Sequence, residues 1–423
     1  MVARMDEGQP SVRGLGVEFR KLWAASAASN LGDGVALVAA PLLAATLTGD
    51  PALVAGLALA QRVPWLIFPL FSGALADRID RRRAMVGVAL CRAGLIGALG
   101  AAVLFDLASL VLLYVVFFLL STGETLFDTA AATVLPTVVR REALTEANAR
   151  LSGTLSVANQ FLGPPLGGAL FAVAAALPFL AGAGGLAVAA ALIAALRGNF
   201  AVVRADNAPP DLRAEIGAGL RWLWGHRLLR TLALTLAVLN ITLVAQVSIM
   251  VLFARERLGL GPAGFGVLLT AYGLGGLLGS VLAGRVIDRL GASRVLRLAV
   301  VIEAATPAVI ALSGHALLVG AALAFFGCHA TVWGAVLTAL RQELTPDRLR
   351  GRVESAYRLL EYGGAAPGAL LGGLLAARFG LTAPFWLGAA VGVALIPLVW
   401  PVFSAGMVAQ AKRETEIPSL HDR

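Results

Sequence analysis

An all-α integral membrane protein is the fold class this sequence predicts, with twelve transmembrane helices arranged as two pseudo-symmetric six-helix bundles around a central cavity. Three observations predict it. The chain of 423 residues is 58% hydrophobic and only 14% charged, with a mean hydropathy of +0.83, far outside the usual range of soluble domains. Its apolar residues fall into runs long enough to cross a bilayer. One acidic, arginine-rich hairpin occurs twice, in corresponding places, with an apolar run leading in and another leading out, as in membrane proteins built from repeated halves.

In chain order, residues 1–19 form a polar arm of mixed charge that lacks the pattern of a signal peptide, so the first span is expected to stay in the mature protein. Apolar spans follow at roughly 20–47, 51–75, 84–105, 107–135, 147–175 and 177–197, then at roughly 228–254, 262–287, 294–312, 315–340, 352–377 and 382–404. Each holds about 20 residues or more, enough at ~1.5 Å per residue to cross a ~30 Å hydrocarbon layer. The expected division is a first bundle at 20–197, a cytoplasmic linker at 198–227, a second bundle at 228–404 and a cytoplasmic tail at 405–423. Within the linker, Leu212, Ile216, Leu220, Leu223 and Trp224 recur at helical spacing, with Arg213 and Arg221 elsewhere on the wheel. That pattern predicts a short helix lying on the inner leaflet. From Lys412 onward the tail is polar and expected to be disordered.

Charge placement sets the orientation. The formal net charge is +9, and nearly all the basic residues are arginines at the ends of apolar runs, so they anchor topology and exclude a nucleic-acid partner. The arm and alternate loops carry Arg20, Arg78–Arg83, Arg140–Arg141, Arg285–Arg297 and Arg341–Arg352, whereas the other loops are nearly bare. Both termini are therefore expected in the cytoplasm of a multi-pass plasma-membrane protein. Cys91 and Cys328 lie inside apolar spans in opposite halves, so no disulfide framework is implied.

The repeated hairpin reads G-A-L-A-D-R-I-D-R-R-R at Gly73–Arg83 and G-R-V-I-D-R-L-G-A-S-R at Gly284–Arg294. Each copy keeps a glycine, an aspartate four residues on, an arginine directly after it and a further arginine beyond. Asp77 is placed to accept hydrogen bonds from the start of a facing helix, where backbone N–H groups favour a carboxylate. Plain anchoring accounts for Arg82 and Arg83 but not for Asp77 or Asp288. The first copy resembles the loop signature of the major facilitator superfamily, with Asp80 where that family usually has glycine; in the second copy Gly291 keeps the glycine and Ala292 replaces a basic residue. The resemblance implies a cytoplasmic latch for an outward-facing state, assigned to Gly73, Asp77, Arg78 and Arg81, with Gly284, Asp288 and Arg289 in the second copy.

A second signature, G-P-P-L-G-G at Gly163–Gly168, resembles the core of the helix-packing motif that drug/proton antiporters carry in their fifth span, with Asn159 where the fuller motif has glycine. Gly163, Gly167 and Gly168 allow helices to approach closely, and Pro164 and Pro165 bend the helix. Together with F-D-T-A-A-A-T-V-L-P-T-V-V at 127–139, these segments are similar to the bacterial efflux branch that includes macrolide and enterobactin exporters.

Ionisable residues at mid-span mark the candidate chemistry, because each costs several kcal/mol in hydrocarbon unless paired, wet or neutralised. Asp33 sits between Gly32 and Gly34, which could loosen the helix, with Asn30 one turn before it. Gln61 and Arg62 lie in span two, Arg92 in span three, and Glu124 and Asp128 share a face of span four at i, i+4. Two carboxylates close together in low dielectric cannot both stay ionised cheaply. A proton-coupled carrier needs such a set; a structural salt-bridge network is the rival account. The second half holds Glu303, His329, and Arg358 with Glu361 at i, i+3, a pair expected to satisfy itself. Asn240, Gln246, Trp333 and Tyr357 are candidates for lining a cavity.

No phosphate-binding loop, metal-ligand cluster or nucleophile constellation occurs, so no cofactor and no enzyme activity are expected. The resemblance implies a monomer in contact with lipid that exports an amphipathic small molecule in exchange for protons. Proton symport or facilitated uptake of a nutrient or lipid, and a non-transporting sensor or assembly role, stay open as alternatives.

Overall fold

The computed structural model describes residues 15–68, 80–198, 212–346 and 349–416. Among them regular structure is entirely helical. Helix α1 runs over Gly16–Leu47. Asp50 then caps α2 (Pro51–Ile67), accepting from the Ala52 N–H at 2.8 Å, with proline at the first position, where its missing N–H does no harm. Asp80 caps α3 (Arg81–Leu104), accepting from the Arg83 N–H at 2.9 Å. The aspartate that stands in place of the hairpin's usual glycine thus does a different job, satisfying an orphan donor at a helix start. Ser109 caps α4 (Leu110–Val138).

The expected span at 147–175 is a composite: α5 (Leu144–Leu155), a π turn (Ser156–Leu162) and α6 (Gly163–Val173). Pro164 and Pro165 remove two successive donors and crowd the carbonyls four residues back, and the wider π turn lies where those carbonyls fall. Helix α7 (Leu177–Ala194) closes the first half. The linker contains α8 (Leu212–Gly225), followed by α9 (Arg227–Leu252) and a π turn at Phe253–Arg257. Leu223 is fully buried, with Leu220 and Trp222 packed beside it, while Trp224 is exposed. The side chains of residues 212–216 lie outside the described ones.

Helical structure α10 over Pro262–Leu312 is two helices meeting at a kink at Gly291, whose φ of 74° and ψ of 155° no helix contains. A side chain there would be strained, so this glycine separates the two spans expected at 262–287 and 294–312. After α11 (Ala316–Leu344), the span expected at 352–377 is divided into α12 (Arg350–Gly363) and α13 (Ala365–Phe379), and α14 (Ala383–Val399) folds back on α13 at 118°. Helix α15 (Ala405–Glu416) buries Val408 and Ala411 against the second half and continues through Lys412–Glu416, the first part of the stretch expected to be disordered, with Lys412 pairing with Glu343 at 2.7 Å. Residues 417–423 lie outside the described ones.

Seven described helices are long and apolar enough to cross a membrane, while α2 is apolar but shorter. Val111, Val173, Leu317 and Leu398 are more than two-thirds exposed, members of an apolar belt that water would not tolerate and hydrocarbon would.

The two ends of the molecule pack differently. At the arginine-poor end one core joins both halves: Leu43, Val54, Phe171 and Phe179 from the first, Ile249, Phe253, Phe265 and Phe385 from the second. Arg255 also donates to the Ala45 carbonyl across this junction. At the arginine-rich end the cores are separate, one around Phe19, Met85 and Ile193, the other around Leu229, Leu296, Leu340 and Phe403. Among the described residues a shared buried core joins the halves at the arginine-poor end, and the arginine-rich end has a separate core in each half.

Small residues make the seal. A Cβ on Gly168 of α6 would lie 2.5 Å from the Pro262 carbonyl oxygen of α10, and one on Gly373 of α13 would lie 2.6 Å from the Ala55 Cβ of α2. Gly168→Leu is therefore expected to cost about 1–3 kcal/mol through overpacking and to open this end. The check is the labelling rate of a single cysteine introduced at Ala52, in a background lacking Cys91 and Cys328, which rises if the seam parts.

Candidate functional site

Asp33 lies halfway along α1, which stays helical through Gly32–Gly34 rather than loosening there. These glycines serve contact instead. A Cβ on Gly34 would lie 2.5 Å from the Asn159 carbonyl oxygen, one on Gly163 2.5 Å from the Gly34 Cα, and one on Gly32 3.5 Å from the Gly182 Cα. Backbone-to-backbone approach brings α1, the π turn and α7 together at the depth of the carboxylate.

The Asp33 carboxylate accepts from Arg92 Nη2 of α3 at 2.7 Å. Arg92 is only 4% exposed, and its Nε has no hydrogen-bond partner among the described residues. Glu124 and Asp128 of α4 bring two more carboxylates into the field of this guanidinium, and Glu124 also feels Arg62 of α2. Three acids and two arginines make up the set.

The set stands between two cavities. One, of about 300 Å³, is lined by Asp33, Gln61, Arg62, Arg92, Glu124 and Asn159. The other, of about 350 Å³ and nearer the arginine-rich end, is lined by Asn30, Asp33, Arg92, Glu124, Asp128 and Asn159. Asp33, Arg92, Glu124 and Asn159 face both and form the partition between them. Asn30 spends its amide on its own helix, donating to the Ser26 carbonyl at 2.8 Å and its Oγ at 3.0 Å. Such a partition allows a carboxylate to exchange a proton with water on either side while its neighbours compensate its charge.

A third, mainly apolar cavity of about 380 Å³ lies between the halves, with Leu37, Gln160, Val247, Phe265, Tyr272 and Phe326 among its walls. Glu303 reaches both this space and a fourth of about 290 Å³ that also holds Asn240, Trp333, Arg341 and Tyr357; Gln246 lines the third. His329 is only 8% exposed and lines none of the four cavities. It packs between Phe326 and Trp333, with Nε2 3.5 Å from Glu303 Oε1, behind the acid that faces the cavity.

Asn159 and Glu303 are the residues that reasoning from sequence underweighted. Their signals were present: the polar pair Asn159-Gln160 directly before the double proline, and an acid inside an apolar span. Arg358 and Glu361 fall on α12, but their side chains lie outside the described ones, as do Gly73, Asp77 and Arg78 altogether. Arg81 is the first residue of α3. In the second hairpin Gly284, Asp288 and Arg289 are exposed, and Asp288 and Arg289 have no hydrogen-bond or ion-pair partner among the described residues. The helix-start contact expected of such an aspartate is not made by Asp288 among the described residues. Gly163, Gly167 and Gly168 all lie at close contacts, Gly167 against Val35 of α1, and the Pro164 carbonyl abuts Gly266 of α10.

A helical bundle with an apolar outer belt, sealed at one end and carrying ionisable groups on cavities at mid-depth, is a membrane transporter and not an enzyme. The sequence profile described as "Transmembrane secretion effector" matches residues 16–420, so the chain belongs to that family of the major facilitator superfamily. It is similar to the multidrug efflux pump Tap of Mycolicibacterium fortuitum, with 29% identity over 376 residues, 85% of this chain and 90% of the relative. Its fold is similar to that of a mutant of the nucleoside transporter NupG, with a TM-score of 0.73 at 11% identity over 92% of this chain and all of that one. A bacterial homologue of the iron transporter ferroportin matches in its inward-facing state with a TM-score of 0.67 at 17% identity, covering 93% of this chain and 98% of that one. The same homologue in its outward-facing state gives 0.59 at 18% identity, covering 91% and 98%.

Removing the arginine should hurt more than removing its partner, since it strands buried carboxylates. Arg92→Gln is expected to destabilise by about 3–5 kcal/mol, Asp33→Asn by less, and the double variant by about 0.5–3 kcal/mol less than their sum. Unfolding of the purified protein in mixed micelles measures all three.

Proposed function

We propose that this chain is a proton-coupled exporter of amphipathic small molecules. In this reading twelve spans form bundles at 20–197 and 228–404, joined by the linker at 198–227, with the arm and tail in the cytoplasm of a plasma-membrane monomer. The arginine-rich end faces the cytoplasm. The halves parted at that end then make the structure inward-open, with the unmade contacts of Asp288 and Arg289 belonging to a latch that engages when the cytoplasmic side closes.

The observation that carries the proposal is the partition of Asp33, Arg92 and Glu124 between two cavities. Efflux as the direction is supported by the resemblance to Tap, which is named a multidrug efflux pump. In the inward-open state substrate enters the apolar cavity between the halves, and the carboxylate set releases its proton toward the cytoplasmic cavity. Losing that proton restores a full negative charge beside Arg92 and tightens the Asp33–Arg92 pair. Closing the arginine-rich end and parting the glycine seam exposes the same carboxylates to the outside. There protonation weakens the hold on Arg92 and accompanies substrate release. The halves rock about a central cavity, and the change of charge at the partition selects which end opens.

The test is transport in proteoliposomes. Vesicles holding protein with its cytoplasmic face outward are expected to accumulate the amphipathic dye Hoechst 33342 when the lumen is acidic, and Asp33→Asn is expected to lower the gradient-driven rate at least tenfold. Dye moving in the same direction as protons, or accumulation indifferent to both the gradient and Asp33→Asn, would contradict the proposal.

A further inference from the structure

The carboxylate set of the first half leaves one acid unexplained. Among the described residues lining the cavity between the halves, Glu303 alone carries a carboxylate, and none is a lysine, arginine or histidine. Its described partner is His329, whose Nε2 stands 3.5 Å from one carboxylate oxygen, a long contact, and no donor among the described residues reaches the second oxygen. The nearest candidate cation on the neighbouring cavity, Arg341, is already committed to Glu354 at 2.9 Å and to the Tyr357 ring, with its guanidinium carbon 4.8 Å from the ring centre. A carboxylate at this depth with one long contact to an imidazole is costly. The cavity around it is otherwise suited to hydrocarbon: Phe265, Tyr272 and Phe326 present rings, and Val247, Leu269 and Leu323 fill the gaps.

We infer that Glu303 anchors a lipophilic monocation in this cavity, so that the substrate itself supplies the missing positive charge. The inference rests on the export reading only in treating this space as the substrate site. A volume of about 380 Å³ lies within the range of pockets that hold drug-sized ligands. The aromatic rings add cation–π attraction to the carboxylate's charge, and the apolar remainder of the wall takes the body of the ligand. His329, wedged between Phe326 and Trp333, acts as a positioning residue that holds the carboxylate toward the cavity. Recognition and energy coupling then fall to different halves: Glu303 selects by charge, and the partition around Asp33 carries protons.

Equilibrium dialysis of radiolabelled tetraphenylphosphonium with the purified full chain tests this, with the uncharged dye Nile red as a reference ligand. Glu303→Gln is expected to weaken tetraphenylphosphonium at least tenfold and to leave Nile red within about twofold, which also shows that the variant is folded. Glu303→Asp, keeping the charge, is expected to retain most of the affinity. Unchanged cation binding in Glu303→Gln overturns the inference. If dye transport proves independent of the proton gradient while cation binding still needs Glu303, the coupling reading fails and this one stands.

Discussion

Everything distinctive in this molecule follows from one constraint, a guanidinium held in low dielectric among carboxylates that outnumber the arginines facing them. Arg92 is nearly fully buried, it is bound to Asp33, and Glu124 and Asp128 share its field. Hydrocarbon tolerates such a group only if it is paired and partly wetted. Architecture answers both conditions: α1, α3 and α4 bring the charges together, and a cavity lies on either side of them. The same condition makes the site sensitive to a single proton, because the balance of charge around Arg92 shifts whenever one carboxylate changes state.

The proposed cycle needs two global arrangements of the halves, and the packing differs between the two ends of the molecule. Glycine contacts and a shared core hold the halves together at the arginine-poor end, while separate cores at the other end make no such demand. Helix contacts made through small residues depend on shape and not on a large apolar driving force inside a membrane. Seams of this kind can part and re-form at modest cost. Among the described residues the tail helix α15 and the linker helix α8 place their buried side chains in a core of the second half.

Much of this was legible in the sequence, for reasons that can be named. Hydropathy marked the chain as helical because backbone hydrogen bonds in lipid leave few alternatives to a helix. Asp33, Arg92 and Glu124 were legible because ionisable residues inside spans are rare. What could not be read was which helix faces meet. That hid the choice of Asp33 as the partner of Arg92, the pairing of His329 with Glu303, and the use of Gly32 and Gly34 for contact rather than flexibility. The tail helix was missed because its polarity masked Val408 and Ala411, which matter only against a neighbour. The π turn was missed because two prolines were read as a bend, when the chain absorbed them by widening the helix.

The central claim is that protons and substrate compete through the charge of one buried carboxylate set. Proton counting tests it most directly: purified protein in weakly buffered detergent, titrated with ligand while an indicator dye follows pH. The account predicts that ligand binding releases protons, and that release disappears in the Asp33→Asn, Glu124→Gln double variant while binding survives. Binding with no proton released, or release undiminished in that variant, would contradict it.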